Sequence, residues 1–70
     1  MTRKQAKTII ERDGIYDPRP LGWSIELLIG GQLTRLSQGE RTAEAATQLA
    51  IRRLLAYLKI HPDREKEVGE

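Results

Sequence analysis

Apolar and polar residues alternate over residues 23–38, WSIELLIGGQLTRLSQ, and two glycines break the alternation at its centre. A period of two marks a half-buried strand. A two-residue loop with positive φ at both central positions suits Gly30-Gly31. The segment is predicted to be an antiparallel β-hairpin with strands at about 23–29 and 32–37. Counting outward from the turn pairs Ile29 with Gln32, Leu28 with Leu33, Leu27 with Thr34, Glu26 with Arg35 and Ile25 with Leu36. Directly opposite residues share a face. Trp23, Ile25, Leu27, Ile29 and Leu36 therefore form an inner face, and Ser24, Glu26, Arg35 and Ser37 an outer one. A slip of one residue would set Leu27 opposite Arg35, so the pattern resists it.

Residues 43–60 follow a helical period. At 100° per residue, Ala43, Ala46, Ala50, Leu54, Tyr57 and Leu58 cover one broad face, which Ile51 and Leu55 widen. Leu49, Ala56 and Ile60 add a second small stripe beyond Arg53, and only Gln48, Arg52 and Lys59 make a clean polar face. Such a helix is buried on more than one side. One side takes the hairpin, and the second stripe needs the chain's first helix or another subunit. Thr42 is the predicted N-cap, with Glu44 in the first turn complementing the helix dipole. Pro62 ends the helix, because it lacks a donor and disfavours the α region at His61.

Residues 2–13 are predicted to be a first helix. Thr2 and Gln5 have capping-box spacing, and Ala6, Ile9, Ile10 and Asp13 fall on one narrow stripe. Gly14 stands where a left-handed C′ residue is wanted, with Ile15 set to pack on Ile10. The competing reading makes residues 7–12 (KTIIER) a strand, which would give a three-stranded sheet with one helix. Residues 16–22 (YDPRPLG) read as a stiff connecting loop, since Pro18 and Pro20 each remove a donor. The fold class expected is α+β, a small single domain in the order α-β-β-α over residues 1–60. Residues 61–70, with one Val among charges, are expected to be a disordered tail.

Length and composition sharpen this picture. A 70-residue chain builds a core that rarely supplies more than about 3–5 kcal/mol, so such domains often need a staple. There is no cysteine, which excludes disulfides and thiolate metal sites and points to a reducing, cytoplasmic setting. The longest apolar run, Leu27-Leu28-Ile29, falls far short of a membrane span, and no apolar stretch of signal-peptide length follows the basic residues 1–7. Self-association or a partner is the staple left. Net charge is +2, with a local −2 in residues 61–70 and +4 before them. That mild field is compatible with anionic partners and does not demand them.

No arrangement of residues promises catalysis. His61, the one histidine, sits at a helix end beside a proline, with nothing to orient it toward Ser24 or Ser37. Glu26 is better matched to Arg35 across the hairpin than to Glu40 or Glu44 as a carboxylate pair. Gly30-Gly31 opens onto a strand, whereas a phosphate loop opens onto a helix N-terminus. No catalytic, cofactor-binding or metal-ligating residue is therefore expected. Among the basic residues, Arg35, Arg41 and Arg52 are the candidates for a shared anion or nucleic-acid surface. No aromatic residue is interleaved with them for base stacking, since Trp23 falls on the inner face. Leu49, Arg53, Ala56 and Ile60 lie along one line of the long helix and are the candidate self-association stripe.

The run Ser37-Gln38-Gly39-Glu40, then Thr42-Ala43-Glu44-Ala45-Ala46, within residues 22–58, resembles the strand–strand–helix segment of HicB-type antitoxins. The chain departs from that pattern by one extra residue before Thr42 and by lacking a clear first strand. The resemblance implies a non-enzymatic regulator. The expected function is a small non-enzymatic protein-interaction or regulatory module acting as a homodimer. The alternative is a nucleic-acid-binding regulator of antitoxin-like type.

Overall fold

The computed structural model describes residues 1–70. It runs α1 (Arg3–Asp13), β1 (Ile15–Arg19), β2 (Gly22–Ile29), β3 (Gln32–Glu40) and α2 (Ala43–Ile60), closed by a 3-10 turn over Pro62–Glu67. The strands form one antiparallel sheet in the order β1-β2-β3, and both helices pack on one face of it. The class is α+β as the pattern predicts, with a third strand added to the expected order.

Both helix starts follow the sequence signals. The Thr2 hydroxyl accepts from the Gln5 amide at 3.1 Å while the Gln5 side chain accepts from the Thr2 amide at 2.8 Å, a complete capping box. Thr42 Oγ1 accepts from the Ala45 amide at 3.0 Å. The end of α1 differs from expectation. Gly14 has φ −66°, an extended conformation, and Ile15 is exposed rather than packed on Ile10. The Gly14 amide still closes the helix by donating to the Ile10 carbonyl at 2.8 Å. A Cβ at this position would lie 2.4 Å from that oxygen, so glycine is needed for space and not for a left-handed turn.

Residues 16–22 are the main correction to the expected fold. They are not a loop: Ile15–Arg19 pairs with β2, Tyr16 opposite Ile25 and Pro18 opposite Trp23. The strand tolerates Pro18 because it is an edge, where a missing donor costs no ladder bond. Tyr16 turns toward the helices, and its hydroxyl meets Thr47 Oγ1, which itself donates to the Ala43 carbonyl at 2.9 Å. With the threonine proton committed to Ala43, the tyrosine is the donor. β1 is thereby tied to the first turns of α2.

The β2–β3 register agrees with the predicted one from the turn to Glu26–Arg35 and then departs from it. Leu28 faces Leu33, Leu27 faces Thr34 and Glu26 faces Arg35. Ile25, however, faces Ser37, and Trp23 faces Glu40. One extra residue, Leu36, is inserted after Arg35, and Ser24 stands opposite both Gln38 and Gly39. These are two β-bulges in succession, and a bulge bends the strand and re-aims its side chains. Leu36 and Ser37 are both buried on the helix side, so Ser37 does not join the outer face as strict alternation would have it. Arg35 and Gln38 come to the same, outer face, and Arg35 Nη1 donates to Gln38 Oε1 at 3.2 Å.

The core lies between the helices and the inner sheet face. It joins Ala6 and Ile10 of α1 to Ile25, Leu27, Ile29 and Leu36 of the sheet and to Ala46, Ala50, Ile51, Leu54 and Leu58 of α2. Trp23 and Tyr57 pack against it while half-buried. Residues 61–70 are ordered against the rest, contrary to a disordered tail. The Gly69 amide donates to the Leu28 carbonyl at 2.7 Å and the Gly31 amide to the Glu70 carbonyl at 2.8 Å. Val68 packs on the core beside Ile29, and the Met1 amino group forms an ion pair with Glu65. Composition alone understated this segment because its ordering comes mainly from backbone groups and one valine.

Candidate functional site

The line of residues on α2 singled out from the sequence stays uncovered. α1 packs on α2, with Lys7 and Glu11 beside Thr47 and Gln48, and Arg3 hydrogen-bonds Gln48. Leu49, Arg53, Ala56 and Ile60 lie further round the helix. Ile60 is 74% exposed, Ala56 and Arg53 are exposed, and Leu49 is half-buried. Leu49, Arg52, Arg53 and Ala56 line a shallow groove of about 280 Å³. The stripe is thus a contiguous, partly apolar strip with a cation in its middle.

The three arginines proposed as an anion surface are not brought together. Arg35 stands on the outer face of the sheet, opposite Glu26. Arg52 belongs to the groove on α2, which packs on the other face of the sheet. Arg41 is exposed in the short link between β3 and α2. The predicted Glu26–Arg35 neighbours are in register, but Arg35 turns to Gln38 and forms no ion pair.

A second place, which the sequence pattern did not reveal, lies on the outer sheet face at the bulged end. Arg19, Pro20, Leu21, Ser24, Arg35 and Gln38 line a cleft of about 500 Å³, with Gly22 and Gly39 completing its wall. The local sequence explains its shape. Gly22 has φ +122° and packs its backbone against Gly39, where a Cβ would meet the Gly39 carbonyl carbon at 2.7 Å. Gly39, at φ +73°, closes the bulge opposite Ser24. A glycine inside a strand pattern is the signal that could have announced a bulge.

Elsewhere the surface carries ordinary ion pairs. Arg12 hydrogen-bonds the neighbouring Asp13 carboxylate at 2.8 Å, which holds that carboxyl below the usual aspartate range and raises the guanidinium. The His61 ring packs on Tyr57 with centroids 4.8 Å apart. No group of three or more His, Asp or Glu side chains comes together as a metal site would need, and no helix is long and apolar enough to cross a membrane. In comparisons with known proteins, the chain matches no family model, no curated protein and no solved structure. The likeness to HicB-type antitoxins therefore rests on the residues quoted above alone.

Proposed function

We propose that this chain is a small non-enzymatic interaction module that works as a homodimer joined across α2. The observation that carries the reading is the stripe of half-buried Leu49 and exposed Arg53, Ala56 and Ile60, with Ile60 at 74% exposure. A two-fold contact uses the same patch twice, so one stripe serves both subunits. A stable interface buries about 800 Å² on each partner, more than four side chains supply, so the dimer is weak and forms in the micromolar range. The alternative, a nucleic-acid-binding regulator, would need the basic residues on one surface, and Arg35 and Arg52 belong to opposite sides of the sheet.

Light scattering at high micromolar concentration tests the reading. The unmodified chain is expected to show twice the monomer mass. Leu49→Glu combined with Ile60→Glu is expected to be monomeric with an unchanged far-UV spectrum, because neither position belongs to the buried core. A monomeric unmodified chain would sink the proposal. Steeply salt-dependent binding to random duplex, lost when Arg52 and Arg53 are neutralised, would favour the alternative.

A further inference from the structure

We infer that the cleft at the bulged end of the sheet binds a small organic oxyanion, a carboxylate or phosphate group carried on an apolar body. This goes beyond the dimer reading and uses a different surface.

The first observation is Ser24. It is 2% exposed, lines the cleft, and its hydroxyl has no hydrogen-bond partner. Its neighbour Ile25 faces the helices, so alternation along β2 directs Ser24 to the outer side, where the cleft is. Leaving a buried hydroxyl unpaired costs about 1–3 kcal/mol. A ligand oxygen seated over the central strand removes that cost by accepting the hydroxyl proton.

The second observation is the pair of guanidinium groups beside it. Arg35 forms no ion pair and is steadied by Gln38 at 3.2 Å through one terminal nitrogen. Its remaining N–H groups are free for a fork of two parallel bonds, the geometry that suits a carboxylate or phosphate. Arg19 forms an ion pair with Asp17, Nε to Oδ2 at 2.8 Å, and keeps its terminal nitrogens. Asp17, opposite Ser24, engages Arg19, and Glu26 stands opposite Arg35 without pairing with it; neither carboxylate lines the cleft. With Arg19 shared with Asp17, Arg35 is the one guanidinium here without a carboxylate partner, which suits one anionic group and not a polyanion.

The third observation concerns the rest of the ligand. The cleft volume of about 500 Å³ falls in the range of small-molecule sites. Leu21 is 92% exposed at its rim beside Pro20, an apolar surface that a bound ligand's hydrocarbon portion would cover. The two bulges serve this site, since strict alternation would have turned Gln38 away from Arg35.

The test titrates benzoate, phenyl phosphate and neutral benzyl alcohol into the full chain and follows amide shifts by NMR. Saturable shifts at Leu21, Ser24, Arg35, Gln38 and Gly39 are expected with at least one of the two anions and not with the alcohol. Response to benzoate alone marks a carboxylate site, and response to phenyl phosphate alone a phosphate site. Arg35→Gln is expected to weaken the productive anion about tenfold or more, and Ser24→Ala a few-fold, with the amide spectrum otherwise retained. Arg35 is exposed, so its replacement leaves the fold intact. The inference is overturned if no anion saturates by about 10 mM, if benzyl alcohol binds as well as the anions, or if Arg35→Gln binds them unchanged.

Discussion

The two ends of the β2–β3 ladder are built from similar residues by different means. At the turn end, Glu26 to Gln32 keep strict alternation, and side chains alone decide which face is buried: Leu27 and Ile29 inside, Leu28 and Leu33 outside. At the other end, β3 spends two extra residues against β2, and the backbone decides: Leu36 and Ser37 both turn inward and Arg35 and Gln38 both turn outward. The regular end gives a scaffold with a predictable inner face. The bulged end gives a concave surface with convergent polar groups, because breaking the period is what lets neighbouring polar residues gather on one side. The candidate ligand site sits at the irregular end.

The largest test of this contrast uses glycine. Gly22→Ala at the bulged end would place a Cβ 2.7 Å from the Gly39 carbonyl carbon and 2.8 Å from the Glu40 oxygen, at φ +122°. Both obstacles are backbone, so the strand must shift or separate. The expected cost is about 3 kcal/mol or more, most of the stability of a domain this small. Gly31→Ala at the turn end meets nothing within 4 Å and carries only the penalty of its φ of +82°, about 1–2 kcal/mol. Urea denaturation of the two variants measures the difference. Equal costs would mean that the bulged end yields as easily as the turn.

That same contrast explains what could be read from the letters. The register at Glu26–Arg35 and Leu28–Leu33 was legible because alternation and the Gly30-Gly31 turn agree with each other. The second half was not, because Leu36 and Ser37 fit an ideal strand just as well, and only Gly39 interrupts it. β1 was hidden by Pro18 and Pro20, which read as breakers until the strand is known to be an edge. The α2 stripe was legible from helical spacing, since exposure there follows from angle alone. The cleft was not, because Arg19, Ser24, Arg35 and Gln38 meet only after three strands and two bulges are in place. The tail was misread from composition. Its docking depends on backbone donors at Gly31 and Gly69, which a sequence pattern does not display.

A middle-sized test sharpens the turn end. Val68 holds the tail beside Ile29, and the Glu70 carbonyl accepts the Gly31 amide. Val68→Asp is expected to cost about 1–2 kcal/mol through lost apolar burial. Hydrogen exchange at the Gly31 amide should accelerate with it, while exchange in the middle of β2 should change only as much as global stability does. If the Gly31 amide keeps its protection, the tail does not brace the turn, and the regular end stands on alternation alone.

The smallest effect is the most discriminating, because it compares one residue type in two settings. Ser24 and Ser37 are 2% and 1% exposed, and neither hydroxyl has a partner. Ser37 faces Ile25 on the core side, where no polar group answers it. Ser24 lines the cleft, yet its hydroxyl oxygen is as buried as that of Ser37, so only a ligand seated there gives it a partner. Removing an unpaired hydroxyl from an apolar site is neutral or favourable. Ser37→Ala is therefore expected to gain about 0.5–1 kcal/mol, a rise in melting temperature of roughly 2–8 °C for a domain of this size. Ser24→Ala should gain a similar amount in the free protein and lose that gain once the cleft is saturated with the anion that binds it. Calorimetry of the two variants with and without that anion reads this directly. Equal gains at saturating anion would remove the distinction between a serine buried by packing and one held ready at a cleft floor.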